Sequence, residues 1–313
     1  MIKQQGKDVL VVDAHAHTWK HFDGMRFGDT KVHNLGYGKI RQGGEVLDLV
    51  PPAFTDNEAP VEILMGYMDN AGIDKAVILQ NPCYGDQRDY VKEVMRRYPE
   101  RIHAAIGKLD PRDRDAVRGE IDSFVRDYGF KGIKLEVPDV PFEMDDPAYD
   151  FMWKKITDEN LIAVIDLGWG KGTYDFNIDR LTRVMEKFPQ MRTCIAHLGV
   201  SRLWDLSQVN PYPELQKTLA LFRINREHLY MDLSAMPFFD ITEEHPDARC
   251  QDILKVTYET IGADRLMFGT DFPSILKLRT YNQCLDFLIH HCDFLSQAEK
   301  INILGQNALR AYA

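Results

Sequence analysis

The chain has 313 residues, 44% hydrophobic and 11% aromatic, which supplies a large buried core and excludes a disordered chain. Its formal net charge of −10 argues against a general nucleic-acid surface, which needs clustered Lys and Arg. Five scattered cysteines, Cys83, Cys194, Cys250, Cys284 and Cys292, show no close pairing, so a disulfide framework or cysteine zinc site is not expected and a reducing cytoplasm is.

The first apolar run, residues 9–12, is too short for a secretory or membrane-spanning segment and reads as a strand. It continues into Asp13-Ala14-His15-Ala16-His17. Strand alternation predicts that Asp13, His15 and His17 share one face, and that Leu10, Val12, Ala14 and Ala16 share the other. Two imidazoles at i and i+2 can meet one ion, which makes the pair a candidate ligand set for zinc or a neighbouring transition metal.

Segment 18–57 carries Arg26, Tyr37, Lys39, Arg41, a run of glycines from Gly36 to Gly44, and Pro51-Pro52. It lacks helical periodicity and is too long for a plain connection, so a lid-like loop over a pocket is expected. Seven further apolar segments follow, at 75–80, 102–107, 132–136, 161–167, 192–197, 228–233 and 265–270. Between them lie stretches with helical spacing at 59–72, 86–98, 113–128, 147–160, 178–188, 213–225 and 248–261. Gly72, Gly129 and Gly262 fall where helix C-termini favour a left-handed residue. The pattern is α/β and predicts a TIM-type (β/α)8 barrel, residues 1–313 forming one domain. Extra C-terminal helices at 280–291 and 296–312 are expected to close it away from the active site.

In such a barrel the chemistry sits at the carboxyl ends of the strands. There the sequence places Lys134 and Glu136 on one face of the fourth strand, Asp166 and then Trp169 after the fifth, His197 after the sixth and Asp271 after the eighth. Asp232, on the seventh, faces the lumen by alternation and is a secondary candidate. Burying so many ionisable groups in one mouth is costly unless a cation or substrate compensates them.

The ordered motifs Asp13-Ala14-His15-Ala16-His17, 68–77, Gly132-Ile133-Lys134-Leu135, Ala196-His197-Leu198-Gly199, Gly269-Thr270-Asp271-Phe272-Pro273 and 303–308 resemble the amidohydrolase superfamily. The branch is similar to amidohydrolase family 2, which includes aminocarboxymuconate semialdehyde decarboxylase and several lactonases and hydratases. The resemblance implies that His15 and His17 ligate a divalent metal ion, zinc or alternatively manganese. It implies that Asp271 ligates the ion or takes the proton of its water, and that His197 is the acid/base or substrate-polarising group. The family usually adds a histidine at the end of strand five, where this chain has Asp166. Asp166 as ligand, Glu136 as ligand, and a weakly held metal with metal-free lactone chemistry are the three alternatives. Lys134 stands where relatives with two metals carry a carboxylated lysine, an arrangement that also needs the missing histidine.

The reading is a metal-dependent hydrolase in which activated water attacks a small carboxylated, lactone or amide substrate, with Lys134, Trp169, Arg26 and Arg41 as substrate-binding residues. A non-oxidative decarboxylase of an unsaturated or aromatic acid is the alternative, and a lapsed small-acid-binding barrel a third. The expected partner is a small-molecule substrate, without nucleic acid or membrane, and the resemblance suggests a homodimer.

Overall fold

The computed structural model describes residues 2–4, 7–26, 28–168, 177–199, 210 and 212–313. The alternating apolar segments pair side by side in chain order, as β1 (Val12–Ala16), β2 (Lys75–Leu79), β3 (Ile102–Lys108), β4 (Gly132–Glu136), β5 (Ile162–Asp166), β6 (Arg192–Ile195), β7 (Leu229–Asp232) and β8 (Leu266–Met267). Each runs parallel to the next. The ring closes through backbone bonds from Ala14 N to Phe268 O (2.8 Å), Asp271 N to His15 O (2.8 Å) and His17 N to Phe272 O (2.9 Å). This is a TIM-type barrel, and the last of these contacts bring the first and last strand ends into register at the mouth.

Helices α1 (Val61–Ala71), α2 (Arg88–Arg97), α3 (Arg114–Ser123), α4 (Asp150–Asp158), α5 (Ile178–Lys187), α6 (Pro213–Ala220) and α7 (Ala248–Ile261) lie between successive strands, and α8 (Tyr281–His290) follows the last. Their buried stripes, such as Leu64, Val91, Ile121 and Trp153, pack on the outward residues of the strands, including Ile133, Leu135, Ala163 and Ile165. The inward residues Val12, Val77, Ile106, Ile162, Val164 and Met267 fill the lumen. Ala308, Ala311 and Tyr312 join that inner cluster from below, and Arg192, at the start of β6, donates to Ala311 O at 2.5 Å. The C-terminal helices therefore seal the barrel at the end opposite the strand carboxyl ends, as the sequence suggests.

Two expectations need correction. The first is the alternation of β1. The pairing of β1 with β2 shifts register between Asp13 and Ala16, so Val12 and Ala14 face the lumen and Asp13 faces outward. There its carboxylate accepts from Thr270 N (3.0 Å), Thr270 Oγ1 (2.6 Å) and the Tyr281 hydroxyl. An irregularity of this kind re-aims side chains at a barrel rim, and here it turns His15 inward beside Ala14.

The second is segment 18–57, which is not an irregular loop. It folds into an antiparallel meander of Met25–Arg26, Thr30–Gly36, Lys39–Gln42 and Glu45–Asp48. The turns Tyr37-Gly38 (φ 51° and 79°) and Gly43-Gly44 (φ 55° and 90°) each have two left-handed residues, the conformation that matches strand twist in two-residue hairpins. Val32 and Ile40 are buried while Lys31, His33, Lys39 and Arg41 are exposed, a period of two that the turn glycines obscure in the sequence.

Candidate functional site

Four strand ends converge on the barrel mouth through His15, His17, His197, Asp232 and Asp271. His15 is fully buried, and its Nδ1 donates to Asp232 Oδ2 at 2.9 Å. His17 Nδ1 lies 2.6 Å from Leu79 O, which only accepts, so that nitrogen carries the proton. Both tautomers are thus fixed from behind, and both Nε2 lone pairs turn toward Asp271 Oδ1, at 3.9 Å from His15 and 3.1 Å from His17. Burial and the neighbouring Lys134 ammonium hold the His15 imidazole down to about 3, so it is neutral at pH 7. Burial would raise the Asp271 carboxyl, but the neighbouring His17 and His197 imidazoles outweigh it and hold it at about 2.

His197 is set differently. It leaves β6 with φ 54°, and Leu198 follows with φ 54°, a left-handed pair that costs backbone energy and swings the imidazole into the mouth. Its Nδ1 donates to Ser234 Oγ at 2.7 Å, and its Nε2 stands 3.4 Å from Asp166 Oδ2. Burial opposes the charge, but Asp166, Asp271 and Asp232 raise the imidazole to about 9. Both ring nitrogens face acceptors, so His197 sits as an imidazolium. Beneath it, Asp232 Oδ1 accepts from His197 N (3.0 Å), Ser234 N (3.2 Å) and Ser234 Oγ, which makes this carboxylate the common brace of His15 and His197. Burial would raise the Asp232 carboxyl, but His15 and His197 beside it hold it well below its usual range.

On the fourth and fifth strands, Lys134 Nζ lies 2.7 Å from Glu136 Oε1 and 3.1 Å from His15 Nε2. Burial would lower this ammonium, but Glu136, Asp166 and Asp271 raise it. Asn81 Nδ2 donates to Glu136 Oε1 at 2.6 Å. Burial raises the Glu136 carboxyl, whereas Asp166, despite its burial, is held down by His197.

The donor set fits a single divalent ion. Ligand-type atoms of His15, His197 and Asp271 lie within 4.8 Å of one another, and His17 meets Asp271 directly. As an imidazolium His197 has no lone pair to give, which leaves His15, His17 and Asp271 as the candidate ligands. The lone pair of His17 facing an ionised carboxylate oxygen at 3.1 Å is the arrangement that a shared cation resolves. Among the described residues, Asp166 and Glu136 do not join this donor group. Asp166 is turned to His197, and Glu136 to Lys134 and Asn81.

A cavity of about 400 Å³ opens above these groups. His17, Lys134, Glu136, Asp166, His197 and Asp271 form its floor, and Ile40, Leu47 and Leu49 from the meander and its C-terminal flank line its side with Arg26. Arg26 Nε donates to Asp139 Oδ2 at 2.8 Å. Arg41 is exposed on the opposite face of the meander from Ile40 and does not line the cavity, a consequence of strand alternation. Lys39 pairs with Asp48 at 2.9 Å in solvent. Trp169 lies outside the described residues.

Sequence reasoning missed Asn81, Ser234 and Lys277. The first two end β2 and β7, so the strand-end rule that found His197 would have found them. Lys277 lies in a short turn after Pro273 and reaches the cavity because its Nζ donates to Asp48 O of the meander at 2.8 Å. No local sequence signal marks it.

A sequence model of the amidohydrolase family matches residues 12–313. The chain belongs to amidohydrolase family 2. No curated protein matches this amidohydrolase by sequence. Its fold is similar to a zinc-bound amidohydrolase from Burkholderia multivorans, with a TM-score of 0.70, 17% identity and coverage of 97% of this chain and 99% of that one. It is also similar to a probable 2-pyrone-4,6-dicarboxylic acid hydrolase from Acinetobacter baumannii with citric acid bound (TM-score 0.68, 16% identity, 96% and 98% covered). A 2,6-dihydroxybenzoate decarboxylase from Rhizobium is more distant (TM-score 0.59, 17% identity, 80% and 87% covered). Hydrolases and decarboxylases therefore share this amidohydrolase's architecture. Among the described residues, no helix is long and apolar enough to cross a membrane.

Proposed function

We propose that this amidohydrolase is a metal-dependent hydrolase of a small carboxylated lactone, ester or amide. The observation that carries the reading is the pair of outward-anchored tautomers: His15 and His17 each give their Nδ1 proton to a fixed acceptor and aim Nε2 at ionised Asp271. These three residues would hold the ion, with His197 beside them. A divalent ion there supplies Lewis-acid polarisation and a water of lowered pKa.

The chain's own groups supply the rest. Asp271, ionised and at the cavity floor, accepts the proton of the attacking water. His197, braced by Asp166 and Ser234, donates to the oxygen on which charge develops or to the leaving oxygen. Arg26 and Lys277 put positive charge on the outer part of the cavity, where a substrate carboxylate would lie. The citric acid bound to the Acinetobacter relative supports a carboxylated substrate.

The test is turnover of a panel of carboxylated lactones, esters and amides in H2¹⁸O, before and after chelation. Expected is ¹⁸O in the product acid, loss of activity with the metal, and recovery with zinc or manganese. Full turnover by protein confirmed metal-free would overturn the reading. A carboxy-lyase is the second reading, favoured by the His197–Asp166 pair, which would suit delivery of a proton to carbon. Carbon dioxide release from an aromatic or unsaturated acid without ¹⁸O uptake would select it.

A further inference from the structure

We propose that His245, Asp286 and His291 form a second divalent-cation site, distinct from the barrel mouth, for a borderline ion of the zinc, cobalt or nickel type. The three residues come from two elements far apart in sequence. His245 lies in the segment between β7 and α7, Asp286 is on α8, and His291 caps its C-terminal end. His291 N still bonds Phe287 O (3.1 Å), but its φ of −120° leaves the helix and turns the imidazole back toward Asp286.

Both imidazoles aim the same nitrogen at the same oxygen. His245 Nε2 lies 2.7 Å from Asp286 Oδ2 and His291 Nε2 lies 3.0 Å from it, with ring planes at 90° and centroids 5.3 Å apart. The three ligand atoms all fall within 4.8 Å of one another. Metal–ligand bonds near 2.0–2.1 Å give a tetrahedral zinc site donor separations of about 3.3 Å, so the two nitrogen–oxygen separations need to widen by only a few tenths of an ångström. Two imidazoles and a carboxylate are a ligand set that suits borderline divalent ions, with water completing the shell.

A second observation comes from the far side of the His245 ring. Its Nδ1 is buried without a hydrogen-bond partner among the described residues, and Asp247 Oδ2 lies 3.8 Å away. While His245 donates through Nε2 to Asp286, its neutral form turns an Nδ1 lone pair toward that carboxylate. Coordination through Nε2 moves the proton to Nδ1 and turns the clash into a charge-assisted donor. Asp247 is only 3% exposed and is clamped by Arg279, through Nε at 3.0 Å and Nη2 at 2.5 Å. An imidazole that ligates through one nitrogen and donates to an anchored carboxylate through the other is the usual support of a metal-bound histidine. Here the anchored carboxylate stands on that side of the ring, 3.8 Å from Nδ1, and needs to close by about 1 Å to accept the proton. An ion at this position ties the segment after β7 to the end of α8.

The test is zinc retained per chain after equilibrium dialysis of the full-length protein, with visible absorption of the cobalt-loaded form. The wild type should hold one equivalent more than His291→Ala and His245→Gln, while Asp271→Asn keeps that equivalent. His291→Ala should leave turnover within about twofold. In the Asp271→Asn background, zinc should raise the melting temperature by several degrees, and adding His291→Ala should remove the rise. Equal zinc and identical cobalt spectra in wild type, His291→Ala and His245→Gln, all with native far-UV dichroism, would overturn the proposal. A failed barrel-metal reading appears separately, as unchanged zinc content in Asp271→Asn.

Discussion

Asp232 does not line the cavity above the mouth, yet it orders most of the mouth. By accepting His15 Nδ1 it fixes the tautomer of that ring, whose neutrality comes from burial and Lys134, with its Nε2 lone pair directed inward, and by accepting His197 N and Ser234 it fixes the left-handed turn that presents the His197 imidazole. His197 is then stabilised as a cation, and its shift from 6.5 to about 9 corresponds to about 3 kcal/mol. Because the folded value is raised, this stability is fully present below about pH 6.5 and is lost as pH climbs through 9. Chelator-treated wild type should therefore lose melting temperature steadily between pH 6.5 and 9, and His197→Gln should flatten that slope. Parallel slopes for the two proteins, measured by differential scanning fluorimetry across the range, would contradict the assignment.

At the scale of elements, the meander decides which cations meet a substrate. Ile40 and Arg41 are neighbours on one strand, but only Ile40 faces the cavity. Arg26, tied to Asp139, approaches from the first strand of the same sheet. Arg26→Gln should raise KM about tenfold with little change in kcat, and Arg41→Ala should leave both within about twofold, as steady-state kinetics on a carboxylated substrate would report. The same contrast explains what the sequence disclosed. All eight barrel strands were legible because buried parallel strands carry apolar runs, and His15, His17, Lys134, Glu136, Asp166, His197 and Asp271 were legible because each sits at a strand end. The outward turn of Asp13 was not, because a register shift in β1 breaks alternation without changing composition. Arg41 was misplaced because a meander hidden by turn glycines looked like a loop, and Lys277 owes its position to a partner more than two hundred residues away in sequence.

At the scale of the whole molecule, the barrel has a polar mouth and an apolar base. The base is completed by Ala308, Ala311 and Tyr312, with Tyr312 fully buried among lumen side chains from several strands. Removing that ring opens a cavity at the point where the strands converge, so Tyr312→Ala should cost about 3 kcal/mol in denaturant unfolding. A loss under 1 kcal/mol would show that the terminal helix is dispensable to the barrel. The ring of strands is likewise closed by contacts between residues 14–17 and residues 268–272. His15 and His17 consequently meet Asp271 only after some 250 intervening residues have been synthesised and wound into place, and the plug at Tyr312 emerges later still. During translation the nascent chain can carry six or seven strands before the proposed ligands meet, so an ion held as proposed would bind only once the barrel has closed and would not guide the early steps of folding.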